Sequence, residues 1–546
     1  MNTILLDETE ERDIKKAGEI LKGGGLLAIP TETVYGLAAD ALNEEAVARI
    51  FLAKGRPSDN PLIVHIAELT DLAPLVREIP DEAIRLAQRF WPGPLTMVLP
   101  KSDLVSDTVS GGLPTVAVRL PANETARAVI RAAGRPLAAP SANSSGCPSP
   151  TKYTHVQEDL WGKIDAVVKG GECTVGVEST VVSLLPGDLP RLLRPGGITL
   201  AQLESAIGKV AVDPAVLNQL PGGGAAASPG MKYKHYAPKA QVWIVDASPA
   251  EYEKYLNQEI HGTAGCFALC FDEDIPHIHV PAVSYGTRYD SQQQASRVFD
   301  ALRELDHLGA KQVFARIPSK NGVGLAVYNR LIRSADFGLI NPYGHYVIGL
   351  TGQSGAGKTT VGATLKALGC GFVDCDAITR SPKVYDADCL KELQEAFGHD
   401  IIEEGALNRR MLATRAFATA EGRRRLNAIT HPRIIRHVCA AIRAELNHGF
   451  RLVVVDAPTL FESGLDAACA RILAVTASAE TRLTRILQRD GITEEEAAIR
   501  FAAQQPDSFY LQRADHIVDG EGGYDLIKRL RPIVEGLLKK CGASPK

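Results

Sequence analysis

Short, β-branched apolar runs alternate with longer amphipathic runs from one end of this chain to the other. GLLAIP, PLIVHI, LTMVLP, TVAVRL and STVVSLL have the length and content of strands, whereas DEAIRLAQRF and NETARAVIRAAG repeat apolar positions at helical spacing. Farther along, AQVWIVD, CFALCF and QVFARI predict strands and QASRVFDALRELDHLG a helix. The pattern returns near the end in YVIGLTG, GFVDCD, RLVVVDAP and RILAVTA, with helical stretches between them. Alternation of this kind predicts α/β architecture throughout. Two stretches interrupt it. LPGGGAAASPGMKYKHYAP (220–238) begins as a Gly/Ala/Ser tether and ends basic and aromatic. ADFGLINPYGHYV (335–347) sets Gly, Asn-Pro and Gly between a helix-like segment and a new strand. The expected blocks are therefore 1–212, a linker or lid at 213–239, 240–338, and 346–546.

Composition narrows the class. Of the 546 residues, 45% are hydrophobic and 23% charged, and the formal net charge is -4. These are values of an ordinary globular protein with no overall electrostatic bias toward nucleic acid, although a local basic groove stays open as a reading. The ten cysteines are scattered and form no CxxC pair, which argues against a zinc or thiol-redox motif and fits a reducing cytoplasm. The N-terminal stretch turns acidic at once, unlike a secretory signal, and no apolar run reaches the ~20 residues that cross a membrane.

The strongest local chemistry lies at 349–360, GLTGQSGAGKTT. Gly352-x4-Gly357-Lys358-Thr359 has the phosphate-loop spacing, with an apolar strand before it and a helical stretch after it. Backbone N–H groups of such a loop curl around phosphate oxygens at a helix N-terminus. Lys358 is then expected to reach the outer phosphates and the Thr359 hydroxyl to ligate Mg²⁺. Asp374 and Asp376 end the next strand, where a carboxylate either takes the proton of an attacking hydroxyl or caps a helix. Asp456 ends RLVVVD and suits a Walker-B carboxylate or a plain strand-ending turn. Arg482, Arg485 and Arg489 recur at helical spacing, either closing over ATP or lying in solvent.

Over about 346–535 these residues resemble dephospho-CoA kinase. The resemblance rests on IGLTGQSGAGKTTV, FVDCDAITR, LNAITHPRI, DAPTLFE, RILQRDG and RFAAQ…ADHIVDGEG, in that order. It implies a P-loop kinase domain with a parallel sheet and a helical insert, transferring phosphate from ATP to the ribose 3′-hydroxyl of dephospho-CoA. It further implies ATP contacts at Gly352, Gly355, Ala356, Gly357, Lys358, Thr359 and Thr360, and Mg²⁺ at Thr359 and Asp456. Asp376 is implied as the base with Asp374 beside it, His431 and Pro432 as substrate contacts in the insert, and Arg485 and Arg489 as lid arginines. The sequence departs from the family pattern at Gln353, where glycine is usual, and at 381–390, SPKVYDADCL, which lacks the usual glycine-containing turn.

The first block carries different chemistry. In IPTETVYGL, Thr31, Thr33 and Tyr35 alternate, which in an extended segment puts them on one face. Lys54 and Arg56 alternate in KGRP, two cations suited to a triphosphate or carboxylate, or else a solvated loop. APSANSSGCPSP (139–150) reads as a loop of small hydrogen-bonding residues. Arg119 ends an apolar strand, in position to clamp a carboxylate. The histidine of LIVHI, His65, is equally a core histidine by pattern alone.

PTETVYGL, KGRPSDNPLIVHI, WPGPLTMVL, VAVRLPAN, APSANSSGCPSPT and GVESTVVSL together resemble the YrdC-like threonylcarbamoyl-AMP synthases. RPGGIT, SPGMKYKHYAP and GLAVYNRLIRSA mark the longer type with a C-terminal domain, so the resemblance covers 1–340. The implied fold is a YrdC-like α/β domain with a twisted open sheet, followed by a small Rossmann-like α/β domain. The implied reaction joins L-threonine, bicarbonate and ATP into threonylcarbamoyl-adenylate, for tRNA threonylcarbamoyladenosine modification by downstream transferase proteins. Threonine is implied at Thr33, His65, Arg119, Ala139 and Ser179. ATP is implied at Lys54, Arg56, Asn60, Thr115, Ser141, Asn143, Ser149, Arg194 and Tyr236, with Tyr236 on a candidate lid.

The expectation is a cytoplasmic fusion of two ATP-using enzymes with no membrane role; tRNA contact is compatible with it and not required. The rival reading is an RNA-binding first module joined to a different P-loop small-molecule kinase.

Overall fold

The computed structural model describes residues 2–58, 60–217, 236–403, 406–502, 504–521 and 525–541. The chain separates into two compact units, one of Met1–Ile244 with Leu256–Leu339 and one of Val245–Tyr255 with Ile340–Lys546.

In the first unit an eleven-stranded mixed sheet is built largely from the predicted runs. At its centre Ile63–His65 runs parallel to Thr115–Arg119, which pairs antiparallel with Leu95–Pro100, which runs parallel to Thr180–Ser183. These strands are buried on both faces, which is why they read as continuous apolar runs instead of an alternation. Helices Glu11–Lys22 and Glu124–Ala133 pack together over one part of the sheet, with Ala17, Leu21, Ala126, Val129 and Ile130 buried. The register leaves the carboxyl ends of Ile63–His65 and Thr115–Arg119 beside the amino end of Thr180–Ser183. His65, Arg119 and Ser179 thus arrive at one sheet edge from stretches far apart in sequence.

The same unit holds a second sheet, in which Cys266–Cys270 runs parallel to both Ala282–Ser284 and Gln312–Arg316. Helices Ser291–His307 and Gly324–Ser334 pack on each other and supply Val298, Phe299, Leu302, Leu331 and Ile332 to its core. This agrees with a small Rossmann-like α/β arrangement.

The second unit contains a five-stranded parallel sheet in the order Gly371–Asp374, Leu452–Asp456, Tyr346–Thr351, Arg471–Thr476, His516–Asp519. Tyr346–Thr351 is central and wholly buried. Parallel strands need crossovers, and here they are long enough to hold an insert of three helices, Ala387–Phe397, Arg409–Phe417 and Ala420–Asn447. Each has a side-chain N-cap, from Asp386, Asn408 and Thr419 respectively. No helix among the described residues is long and apolar enough to cross a membrane.

Candidate active sites

The segment 31–35 bends instead of running extended. Thr31 Oγ1 accepts from the backbone N–H groups of Thr33 and Val34, both at 3.2 Å, a local hydroxyl turn that diverts the chain. The expectation of one shared face therefore holds for Thr31 and Thr33, whose hydroxyls meet at 2.8 Å, and fails for Tyr35. Tyr35 is fully buried, and its hydroxyl takes the Gly170 N–H at 3.1 Å.

The first pocket is lined by Thr33, His65, Arg119, Ala139 and Ser179, together with Arg56, Ser141, Asn143, Arg194 and Tyr236. Arg119 donates to Thr33 Oγ1 at 2.8 Å and to Glu32 Oε1 at 2.7 Å, with its side chain only 4% exposed. Arg194 donates from Nε to the Ser179 carbonyl and from Nη2 to the Ser179 hydroxyl, each at 3.1 Å. Gly196 makes that approach sterically possible, since a Cβ there would stand 2.3 Å from the Thr180 nitrogen.

Other expected residues stand behind this wall. Lys54 closes the helix Glu44–Lys54 and donates to the carbonyls of Ser141 and, at 2.6 Å, Asn143. Ser149 is buried and donates to Glu178. Asn60 is 1% exposed, and among the described residues neither its amide nitrogen nor its oxygen has a hydrogen-bond partner. A buried amide left so costs on the order of 1–3 kcal/mol. Thr115 is not brought to the pocket. It opens the strand that Arg119 closes, four residues and about 13 Å away at strand rise. The tether residues 218–235 lie outside the described residues; Tyr236 itself is buried, at φ 65, with its ring 5.3 Å from that of Phe299.

Charge in this pocket is balanced by buried pairs. Burial presses the Glu178 carboxyl upward, but Arg330 and Arg194 outweigh it and hold it below the usual carboxylate range. Glu32 is likewise held low by Arg119 against its burial. Burial and the Arg119 charge push His65 down to about 3, so it is neutral at physiological pH. Burial, then Arg56, lowers Lys54 to about 7. Glu32, Glu178 and Arg330 were not singled out from sequence. The two glutamates lie inside motifs already noted, but no local signal says that each faces an arginine 87 or 152 residues away.

In the second unit the phosphate loop joins Tyr346–Thr351 to the helix Lys358–Ala367. Gly352 has φ 140, and a Cβ there would meet the Val475 carbonyl at 2.3 Å. The loop continues through Gly355, Ala356 and Gly357 into Thr359 and Thr360 of the first helical turn. Lys358 Nζ folds back onto the Gly352 carbonyl at 2.6 Å. Arg485 reaches the loop, donating to Gly355 O at 3.2 Å and Gly520 O at 3.0 Å. Arg489 does not; it pairs with its neighbour Asp490 at 2.7 Å. Arg482 is buried beneath, so the three arginines part ways despite their helical spacing.

The two carboxylates of DCD also separate. Asp374 caps the helix Cys375–Arg380, accepting from the Ala377 N–H at 2.9 Å, while Asp376 lines a cleft with His431, Tyr385 and Arg409. Pro432 sits within the helix Ala420–Asn447 and is not among the lining residues. The unusual 381–390 segment forms a short turn and a capped helix that still deliver Tyr385 to the cleft, where Arg409 lies 5.1 Å over its ring. Gln353 donates to the Gln505 carbonyl at 2.7 Å, and Gln504 grips Ser354 at 2.7 Å, so this loop is tied to the segment after Glu494–Ala502. Asp456 stands in register with Asp374 at the strand ends; burial first, then Asp374 and Asp376, raises its carboxyl to about 6.

The two sites define a class of protein: an α/β protein with two nucleotide-type sites of unrelated construction. Comparison with known proteins names the class. The family described as Telomere recombination matches residues 19–196, and Threonylcarbamoyl-AMP synthase, C-terminal domain, matches 198–336. Dephospho-CoA kinase matches 346–525. Threonylcarbamoyl-AMP synthase of Pyrococcus abyssi is 45% identical over 344 residues, covering 61% of this chain and 97% of that one. Dephospho-CoA kinase of Corynebacterium diphtheriae is 37% identical over 185 residues, covering 34% of this chain and 92% of that one. The solved structure of P. abyssi Sua5 complexed with L-threonine matches with a TM-score of 0.58 at 44% identity, over 62% of this chain and 99% of that one. The chain belongs to the threonylcarbamoyl-AMP synthase family in its first part and to the dephospho-CoA kinase family in its last, and it is a bifunctional enzyme.

Proposed function

We propose that the first unit joins L-threonine, bicarbonate and ATP into threonylcarbamoyl-adenylate with release of pyrophosphate, and that the second phosphorylates the ribose 3′-hydroxyl of dephospho-CoA. The observation that carries the first reading is the convergence of Thr33, His65, Arg119, Ala139 and Ser179 on one pocket with Arg56, Ser141, Asn143, Arg194 and Tyr236.

In the synthase, Arg119 offers its fork to the amino-acid carboxylate while sharing it with Glu32, and Thr33 is pinned by the same guanidinium. Neutral His65 packs beside them without adding charge. Arg56 and Arg194 face the triphosphate, Asn60 lies behind them, and Tyr236 covers the site. No side-chain nucleophile is required. The threonine amine joins the bicarbonate carbon with loss of water, and an oxygen of the resulting carbamate attacks the α-phosphorus. The bond from that phosphorus to the oxygen bridging to the β-phosphate breaks so that pyrophosphate leaves, and the chain's contribution is alignment and charge. The product suits downstream transfer of the threonylcarbamoyl group to a tRNA adenosine by separate proteins.

In the kinase, the loop amides and Lys358 hold the phosphates, Asp376 accepts the ribose hydroxyl proton, and Arg485 steadies the loop that carries the γ-phosphate. Asp374 contributes by capping the helix that aims Asp376. His431 and Arg409 line the acceptor cleft. The donor set beside the loop is oxygen only, from Thr359 and Asp456, and burial together with Asp374 and Asp376 outweighs the Lys358 charge at Asp456. That set fits Mg²⁺, which Thr359 and Asp456 would hold and which would neutralise charge on the phosphate oxygens.

The test is to incubate the full chain with ATP, Mg²⁺ and dephospho-CoA, and separately with ATP, Mg²⁺, threonine and bicarbonate, following products by mass. Coenzyme A should form with the wild type and not with Lys358→Ala, while both make threonylcarbamoyl-adenylate. Absence of coenzyme A from a folded wild type would mean another acceptor.

A further inference from the structure

We infer that Arg330, on a helix of the second sheet and outside the substrate pocket, is a positioning residue for ATP in the synthase reaction. It acts by fixing and neutralising Glu178. This rests on the synthase reading above.

Arg330 is fully buried, and every edge of its guanidinium is engaged. Nε donates to Glu178 Oε2 at 2.8 Å and Nη2 to the Glu178 carbonyl at 3.3 Å. Nη1 donates to the Pro195 carbonyl and to Asn329 Oδ1, both at 2.9 Å. One cation therefore grips the backbone and side chain of the residue before Ser179, and the backbone beside Arg194. The second oxygen of Glu178 accepts from Ser149 Oγ at 2.5 Å, so the position of Ser149 is set by the same carboxylate. The Arg330 guanidinium also lies 5.6 Å from the centre of the Tyr236 ring.

A second contact works in the same direction. Arg303, on the helix Ser291–His307, donates to the Pro148 carbonyl at 2.6 Å and to Asp159 at 2.8 Å. Two helices of the second sheet thus hold residues 148 and 149 from behind.

The charge logic points to ATP and not to threonine. Glu178 lines the pocket, and its ionised carboxylate repels a triphosphate unless it is neutralised. Arg330, with Arg194, supplies that neutralisation, and Arg330 does so fully buried and outside the pocket lining. Arg119, on which threonine is expected, is balanced separately by Glu32. Removing Arg330 should therefore weaken ATP selectively.

The experiment measures threonine-dependent pyrophosphate release by the full chain, varying ATP and threonine in turn. Arg330→Met is expected to raise the KM for ATP about tenfold or more, as loss of one partner of a buried charge pair does. The KM for threonine should move less than about twofold, a difference within ordinary context effects. Arg330→Lys keeps the charge and loses the fork, and should fall between. The double variant Glu178→Gln/Arg330→Met removes both charges at once, leaves no unpaired carboxylate if the single variant folds poorly, and should recover most of the ATP affinity. An unchanged KM for ATP in a folded Arg330→Met protein, an equal rise in both KM values, or a double variant as impaired toward ATP as the single would each overturn the inference. A wild type that releases no pyrophosphate with threonine would instead sink the synthase reading.

Discussion

Replacing Arg119 by alanine separates the structural from the catalytic part of the first pocket. In the native site Arg119 and Glu32 are 4% and 9% exposed, joined at 2.7 Å, so neither charge is solvated without the other. Breaking such a pair from one side leaves a buried carboxylate alone, at a cost of about 3–5 kcal/mol. All three tryptophans, Trp91, Trp161 and Trp243, lie in the first unit, so denaturant unfolding followed by tryptophan fluorescence reads that unit. The sign of the pH dependence is also fixed. In the wild type Glu32 is held below its ordinary 4.5, so its contribution is present above that pH and is lost on acidification. Without Arg119, burial is opposed only by backbone N–H hydrogen bonds, the carboxyl titrates higher, and the variant's deficit shrinks as pH falls toward 4.5. Arg119→Ala/Glu32→Gln should regain most of the stability and none of the threonine-dependent pyrophosphate release. A single variant that loses less than about 1 kcal/mol, as an exposed pair would, or whose deficit does not change with pH, would refute the reasoning.

Three further outcomes are expected. Asp456 carries a proton up to about pH 6, so the Mg²⁺ concentration giving half-maximal coenzyme A formation should rise steeply below that pH and be flat above 7; a flat profile from pH 5 to 7 would remove Asp456 from the metal site. Tyr236→Ala should abolish adenylate formation while tryptophan fluorescence still reports a folded unit, whereas Tyr236→Phe should keep the ring contact with Phe299 and partial activity; full activity of the alanine variant would remove the lid. Leu473→Ala, at a fully buried position in the parallel sheet, should destabilise the second unit by about 2–5 kcal/mol, read as earlier loss of kinase activity on heating, with synthase activity unchanged.

Sequence alone determined what depends on neighbours in the chain. The phosphate loop is such a case: the preceding apolar strand, the glycine spacing and the following helix follow one another without a break from Tyr346 to Ala367, and the structure has them as read. Fold class was legible for the same reason, because strands buried on both faces leave unbroken apolar runs. Local reading failed where a short-range hydrogen bond or a distant partner intervened. The Thr31 turn sent Tyr35 away from Thr33, and Arg489 pairs with Asp490 while Arg485 on the same helix reaches the phosphate loop. Tertiary structure decided which carboxylate of DCD caps a helix and which faces a cleft, because a two-residue offset at a helix start changes the side presented. It alone paired Glu32 with Arg119 and Glu178 with Arg330, since a buried charge is tolerable only where folding brings its counter-charge, and that partner leaves no trace in the residues beside it.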